Sequence, residues 1–373
     1  MSLRILHCGD LHIGMKFNSY PEELRQVLTE ARFSVLDSIV KQANEAECQL
    51  LVIAGDLFDK TTIPVRDIER VIKTLDKFSG DCVLILPGNH DYDNGQGGLW
   101  EHLQKRLTGK ILILNEEKPY YLQDYDLDVA AYPAPCRRKH SSTNNLGWME
   151  DKIDPKTARW HIGLAHGSLE GVSPDLNQEY YPMTIQELMT IDVDLWLLGH
   201  AHIPYPEQMS TLGQRIFNAG TPEPDGLDCH HEGHAWLLEL DDNKEVQGNL
   251  LTLGQFRFID TVREIEDEEG FIKLCKEFSG PKGEFTILRL NLRGVLEPEL
   301  YNRKEEYYRQ LREQLAYFLI DDTELRVRIN REVIEQEYTA GSFPYRFLQE
   351  FLNRDDQEAL QIAYEMLREV KSQ

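Results

Sequence analysis

The sequence predicts an α/β protein: a mixed sheet core flanked by helices, then a smaller second α/β domain and a helical tail. Three observations predict it. The first ninety or so residues alternate apolar runs of strand length with stretches of helical periodicity. Strand-like runs then continue to about residue 240 with few helices between them. Near Gln255 to Asp260 the character changes and a new alternation begins. Strand–helix alternation implies a parallel sheet covered by helices, and the helix-poor stretch implies that the sheet becomes mixed or layered. On this pattern the 373 residues divide into 1–255, a small α/β domain at 256–331 and a helical segment at 332–373.

Taken in order, Arg4 to Cys8 reads as a short buried strand. Leu24, Val27, Leu28, Ala31, Val35, Leu36, Ile39, Val40 and Ala43 then mark one face of a helix over 22–46. Leu50–Ala54 is a second buried strand, and Pro64 suits the start of a helix carrying Ile68, Val71, Ile72, Leu75 and Phe78. Val83–Leu86 is a third strand. Further strands are expected at Ile111–Leu114, Asp128–Ala131, His161–Ala165, Leu195–Leu198, Arg215–Asn218 and His234–Leu240. Beyond the boundary, the acidic run Glu264 to Glu269 reads as a solvated face or turn. Helices are expected at Phe271–Phe278 and Glu297–Phe318, and strands at Thr286–Leu292 and Glu324–Ile329. In the tail, Asp355 with Glu358 forms a capping box ahead of an apolar stripe of Leu360, Ala363, Met366, Leu367 and Val370.

Composition narrows the function classes. Hydrophobic residues make up 41% and charged residues 28%, an ordinary soluble balance. No apolar run approaches the ~18 residues of a membrane span, and the N-terminus enters a strand pattern directly, so no signal peptide is expected. The 6 cysteines form no C-x-x-C pair, which speaks against a disulfide framework or a thiolate zinc site and for a reducing cytoplasm. A net charge of −24 disfavours a protein that coats nucleic acid by general electrostatics. It does not exclude an enzyme whose cations are metal ions. The densest basic run, Arg137-Arg138-Lys139-His140, reads as an exposed polar loop, with contact to a nucleic-acid backbone as the alternative.

The chemistry lies where strands end. Five apolar runs lead into oxygen or nitrogen donors: Asp10 with His12, Asp56, Asn89, His166, and His200 with His202. In open α/β sheets function collects at the carboxyl ends of strands. One histidine there is usually structural, but seven donors, each following an apolar run, point to metal. Asp10 and His12 are two apart, as are His200 and His202, so an extended backbone would turn each pair to one side. Asp56, central in the set, is suited to bridge two ions. Mixed carboxylate, imidazole and amide donors suit Mn²⁺, Fe²⁺ or Zn²⁺, and two ions about 4 Å apart would clamp a phosphate and activate a water. His90 is left over beside Asn89, placed to stabilise a transition state or protonate a leaving alkoxide. Asp91 either orients that imidazole or serves only as a turn residue and cap. His230, His231 and His234, in a Gly/Pro/Asp-rich stretch, read as a flexible surface loop.

Asp10-Leu11-His12, Gly55-Asp56, Gly88-Asn89-His90-Asp91, His166 and Gly199-His200-Ala201-His202 resemble, in order and spacing, the calcineurin-like metallophosphoesterases. The resemblance covers roughly the first 240 residues. It implies a two-layered sheet core holding two ions, one by Asp10, His12, Asp56 and His202, the other by Asp56, Asn89, His166 and His200. Asp10-Leu11-His12-Ile13-Gly14 and Gly55-Asp56-Leu57-Phe58-Asp59 look like the SbcD-type DNA repair exonucleases. Gly341-Ser342-Phe343-Pro344 and the segment Glu358–Glu365 resemble the YhaO-like subgroup. Archaeal and eukaryotic relatives carry a histidine where Asp59 stands here, and Asn218–Pro224 is similar to the loop closing the site.

That resemblance implies a metal-dependent DNA exonuclease or endonuclease in repair, cytoplasmic and homodimeric. It further implies a cap built from the second domain and an SbcC-like ATPase docked through the C-terminal helices. Its two ions would be Mn²⁺ foremost, with Fe²⁺, Zn²⁺ or Mg²⁺ as alternatives. The competing reading is a metallophosphoesterase for a non-DNA phosphodiester or a phosphomonoester. Lys60-Thr61 after Asp59, where phosphoprotein phosphatases have Arg-Gly, speaks against that branch. A non-catalytic scaffold would have lost donors, and all seven are present.

Overall fold

The first unit begins β1 (Leu3–Cys8), α1 (Glu22–Glu45), β2 (Leu50–Ala54), α2 (Val65–Leu75), β3 (Cys82–Leu86), α3 (Leu99–Gln104) and β4 (Ile111–Ile113). It continues with β5 (Tyr120–Tyr121), β6 (Val129–Ala134), β7 (Trp160–His166), α4 (Ile185–Thr190) and β8 (Leu195–Gly199). Strands β9 (Ser210–Leu212), β10 (Ile216–Asn218), β11 (His234–Leu240) and β12 (Val246–Thr252) complete it. This computed structural model describes residues 2–107, 109–173, 175–354 and 356–372, and the chain separates into two units, Met1–Phe258 and Ile259–Gln373.

Side-chain alternation on the strands explains the layering. In β1 to β3, Leu3, Ile5, Leu50, Val52, Leu84 and Leu86 face one way and meet Ile162, Leu164, Leu195, Leu197 and Phe217 of the second sheet. Their neighbours Leu6, Cys8, Leu51, Ile53, Val83 and Ile85 face the other way, onto Leu36, Ile39 and Val40 of α1 and Ile68, Val71 and Leu75 of α2. Strands buried on both faces read as continuous apolar runs, which is why these were visible in sequence. The first sheet has the order β4-β3-β2-β1-β11-β12-β9 and the second β10-β8-β7-β6-β5. Strands β1 to β4 are parallel to one another, and β11 and β12 add antiparallel. In the second sheet β6, β7, β8 and β10 are parallel. The fold is a mixed α/β sandwich of two sheets flanked by helices.

Five of these elements were not anticipated. α3 and α4 are only 6 residues each, too short for a periodic signal, and β5 and β9 are shorter still. β12 was also missed, because Gly248 interrupts its pattern.

In the second unit, β13 (Arg257–Glu264), α5 (Glu268–Phe278), β14 (Thr286–Leu296), α6 (Pro298–Gln314) and β15 (Tyr317–Val327) precede α7 (Arg331–Glu337), α8 (Phe343–Asn353) and α9 (Gln357–Ser372). The sheet order is β13-β14-β15. Phe271, Leu274 and Phe278 of α5 pack with Tyr307, Tyr308 and Leu311 of α6 against Leu288 and Leu290. The helix expected over Glu297–Phe318 stops at Gln314. Leu311 and Leu315 keep its spacing, but Tyr317 and Phe318 pair instead with Ile287 and Leu288. The later strand accordingly begins at Tyr317, seven residues before the expected Glu324. Helices α7 to α9 have their own cluster, including Ile334, Leu348, Leu360, Ala363 and Tyr364. Asp355 of the expected capping box lies outside the described residues, while Asp356 Oδ1 accepts from Ala359 N at 3.0 Å. Among the described residues no helix is long and apolar enough to cross a membrane.

Candidate metal centre

The seven sequence-predicted donors come together. Asp10 and His12 follow β1, Asp56 follows β2, and Asn89 follows β3, all in one sheet. His166 ends β7, and His200 and His202 follow β8, both in the other sheet. The centre therefore spans the ends of both sheets, and no single sheet supplies it.

On one side, His12 Nε2 lies 3.2 Å from His202 Nε2. His12 Nε2 is also 3.8 Å from Asp56 Oδ2, and His202 Nε2 is 3.9 Å from Asp10 Oδ1. On the other side, Asn89 Oδ1 is 2.9 Å from His166 Nε2 and 3.1 Å from His200 Nδ1. His166 Nε2 is 3.3 Å from Asp56 Oδ2. Asp56 thus reaches both groups. Ligand atoms of Asp10, His12 and His202, and of Asp10, Asp56 and His166, lie within 4.8 Å of one another.

The expectation of extended backbone at the paired donors is not met. Asp10 (φ 53°), His12 (φ 47°), Asp56 (φ 49°) and His200 (φ 98°) all have positive φ. Left-handed backbone is costly for any residue with a Cβ. Here tight turns at the strand ends impose it, and the two β-strand loops are zipped together beneath them. Asp10 N donates to Gly55 O at 3.1 Å, and His12 N donates to Asp56 O at 2.9 Å. Two glycines make the close approach possible. A Cβ on Gly55 (φ +91°) would fall 2.0 Å from His166 Nδ1, and one on Gly88 would fall 2.2 Å from Asp56 Oδ1.

Residues of this kind fit cations. His166 Nδ1 donates to Ala54 O at 2.8 Å, which leaves the lone pair of Nε2 facing Asn89 and Asp56. Buried acceptors from several residues converge, and the buried guanidinium of Arg32 lies behind them, on Asp225 and Leu11 O rather than between them. Such convergence is unfavourable unless a cation sits between the acceptors. The electrostatics say the same. Burial would lower the His166 imidazole, yet Asp56, Asp10 and the Ala54 carbonyl together outweigh it and raise the group to about 9, so without an ion the ring takes up a proton in its place. Burial would raise Asp56, but the imidazoles of His166, His12 and His90 hold it well below the usual carboxylate range. Asp10 is raised to about 6 by burial, and burial with the nearby His166 lowers His200 to about 3.

His90 stands at the edge of this centre, its ring 4.8 Å from that of His12 between centroids. Its backbone N donates to Asp56 Oδ1 at 2.8 Å, and its Nδ1 donates to Asp59 O at 3.2 Å. Asp59, whose role was open in sequence, thus orients the imidazole through its main chain, leaving Nε2 available. Asp91 does not orient His90, contrary to one of its two readings. Its Oδ1 accepts from Gly88 N at 2.7 Å and its Oδ2 from Phe58 N at 3.0 Å. Both oxygens are spent on main chain, so Asp91 fixes the turn that carries Asn89 and His90. It caps no helix either; α3 starts eight residues later, at Leu99.

Several other residues belong to the neighbourhood. Asn218 Nδ2 donates to Ala201 O and Ile203 O, both at 2.7 Å, and so shapes the His200–His202 loop. The basic run is exposed at Arg138, Lys139 and His140. The His140 ring lies 4.9 Å from that of Tyr180, which lies 5.0 Å from that of His200. Of the three later histidines, His230 is exposed, but His231 and His234 are not a flexible surface loop. Their rings stack at 5.0 Å, and His231 Nε2 donates to the His202 carbonyl. Sequence reasoning missed Asp225, whose Oδ2 lies 3.1 Å from His202 Nδ1, and Arg32 behind it. Pro-Asp-Gly at 224–226 reads as a turn, but an arginine set in the apolar stripe of α1 was a usable signal.

The sequence profile of the family described as calcineurin-like phosphoesterase matches residues 3–204. The chain belongs to this family. It is 25% identical over 207 residues to the uncharacterised metallophosphoesterase YhaO of Bacillus subtilis, covering 54% of this chain and 48% of that protein. It is 23% identical over 255 residues to the DNA double-strand break repair protein Mre11 of Methanopyrus kandleri, covering 64% of this chain and 54% of that protein. The chain therefore spans about half the length of these relatives. Among solved structures, purple acid phosphatase PPD1 of yellow lupin aligns at 14% identity with a TM-score of 0.39, over 64% of this chain and 49% of that one.

Proposed function

We propose that this chain is a two-metal phosphodiesterase acting on DNA in repair, with Mn²⁺ as its working ion. The observation that carries the reading is the convergence of seven donors from five strand ends on one shared carboxylate, Asp56, with His90 at the rim. Asp10, His12, Asp56 and His202 would hold one ion, and Asp56, Asn89, His166 and His200 the other. Such ions, when bound, supply Lewis acidity to the phosphoryl group and lower the pKa of water.

The chain's own residues do the rest. Asp91 fixes the 88–90 turn, so Asn89 and His90 face the same phosphate. Asp59 O holds the His90 ring by Nδ1–H, so Nε2 faces the leaving oxygen and, when the ring is the doubly protonated imidazolium, donates it a hydrogen bond or a proton. The exposed Arg138, Lys139 and His140 offer cations near His200, where a polyanionic strand could continue. Similarity to a protein named for DNA double-strand break repair favours a phosphodiester in DNA over a phosphomonoester.

The assay is incubation with Mn²⁺ and labelled linear duplex, single-stranded DNA, a chromogenic phosphodiester and a phosphomonoester. DNA cleavage is expected. If DNA survives while monoesters are hydrolysed, the alternative of a non-DNA substrate is correct.

The same reading places the protein in the cytoplasm as a homodimer, with an SbcC-like ATPase partner. Ile362, Met366 and Val370 of α9 are 50%, 62% and 73% exposed and recur every four residues, the stripe expected of a docking helix. Deleting 332–373 should weaken ATPase binding; unchanged binding refutes this docking site.

A further inference from the structure

We propose that Arg32 and Asp225 are positioning residues that set the first ion's site, Asp225 by fixing the His202 ring and Arg32 by tying Asp225 to the Asp10–His12 turn. The proposal rests on the ligand reading given above. The His202 side chain is 35% exposed, whereas those of Asp10, His12, Asp56 and His166 are 0–2% exposed. Packing alone does not fix a ring that exposed, so it must be held from behind if its Nε2 is to meet Asp10 and His12.

Asp225 supplies the hold. Its Oδ2 lies 3.1 Å from His202 Nδ1. Acceptance there places the proton on Nδ1 and leaves the Nε2 lone pair directed at His12 Nε2, 3.2 Å away. Carboxylates behind ligating histidines fix tautomer and orientation in this way. His166 obtains the same result from a backbone carbonyl, Ala54 O. Asp225 is thus the side-chain counterpart of a main-chain device.

Arg32 explains why Asp225 stays in place. Its side chain is completely buried, and Nη2 lies 3.6 Å from Asp225 Oδ2. Nη1 donates to Leu11 O at 3.4 Å and to Thr221 Oγ1 at 3.3 Å, and the single Thr221 hydroxyl proton is shared between Asp10 O at 3.0 Å and Glu223 O at 2.8 Å. Leu11 lies between the two ligands Asp10 and His12. One guanidinium therefore grips the turn that carries two ligands and the carboxylate that orients a third. A fully buried charge on a core-facing helix is expensive, and helix packing alone would be served as well by leucine or methionine. What the charge adds is this link.

The test is Mn²⁺ binding to the full chain by calorimetry, with metal content by mass spectrometry after desalting. Wild type should bind two ions. Asp225→Ala and Arg32→Met should each weaken one ion by about 10–100-fold and leave the other unchanged. Asp225→Asn, whose amide oxygen can still accept from Nδ1, should recover most of the loss. In a His202→Asn background Asp225→Ala should add nothing, because the ring it positions is gone. Circular dichroism of each metal-free variant checks that it is folded.

Two ions bound at wild-type affinity by Asp225→Ala overturn the proposal alone, as does an equal loss with and without His202. Wild type binding no ion overturns the ligand reading as well. A variant that fails to fold is replaced by Asp225→Asn, for which an affinity below that of a folded His202→Asn chain overturns the proposal.

Discussion

The two halves of the centre solve the same problem by different means. In the half built on Asn89, His166 and His200, the holding is local to the strand ends: the main-chain Ala54 O fixes the His166 ring, and the side chain of Asp91 clamps the turn that carries Asn89. In the half built on Asp10, His12 and His202, the main chain holds Asp10 and His12, but the His202 ring is held by a distant side chain, Asp225, backed by Arg32. Local support travels with the strand-end motif itself. Support by distant side chains must be assembled from a helix and a loop nearly two hundred positions apart. The first kind is compact and visible; the second is dispersed and open to change without disturbing the sandwich.

Substitutions can break this contrast. The largest effect should come from Asp56→Asn, because Asp56 serves both halves. Turnover should fall by on the order of 10⁴-fold or more, as when one member of an interdependent set is removed, and bound metal should drop for both ions. Retention of either ion at full affinity would show that Asp56 is not shared. His90→Ala comes next, with a loss of about 10²–10⁴-fold and both ions kept. Loss of an ion would move His90 into one half as a ligand, since its ring also lies within reach of His12 and Asp56.

Gly55→Ala should injure the half that holds His166 more than the other, to which Gly55 contributes only a carbonyl for Asp10 N. Its Cβ would lie 2.0 Å from His166 Nδ1, so the second ion should weaken, with a stability loss of about 1–3 kcal/mol by overpacking seen in thermal melts. Equal weakening of both ions would erase the distinction between the halves.

The effect smallest at neutral pH, where it vanishes, concerns the strand beneath the side-chain half. His7 of β1 is fully buried, and burial lowers it to about 3. Its folded value lies below its unfolded value, so the unfolded chain binds the extra proton between them. Stability is therefore full above about pH 6.5 and is lost as pH falls through the window toward 3, at up to about 1.4 kcal/mol per pH unit. His7→Leu should flatten that slope in denaturant titrations; an unchanged slope assigns the acid sensitivity elsewhere.

How much of this was legible followed the same division. The sandwich was readable because strands buried on both faces leave unbroken apolar runs, as at Leu50–Ala54. Each donor was readable because it stands just past such a run. What a donor's neighbours do was not readable. Asp91 lies beside His90 in sequence yet spends both oxygens on Gly88 and Phe58. Asp59 acts through its carbonyl, which no side-chain pattern records. Arg32 and Asp225 are 193 positions apart, and only the fold brings them together. In the second unit, Tyr317 and Phe318 carried a helical pattern that sheet pairing with Ile287 and Leu288 overrode.

The left-handed backbone at Asp10, His12, Asp56 and His200 has a use in reading copies of this chain that have lost activity. Each of these positions is selected twice, once for its donor atom and once for tolerance of positive φ. When selection on the donor lapses, selection on the backbone persists as long as the fold does. Asparagine, aspartate and glycine accept that conformation, whereas valine, isoleucine and threonine resist it. Degenerate copies that still fold should therefore drift at these four positions toward asparagine and glycine. At Asn89 and His166, which lack that backbone constraint, they should drift without such a bias.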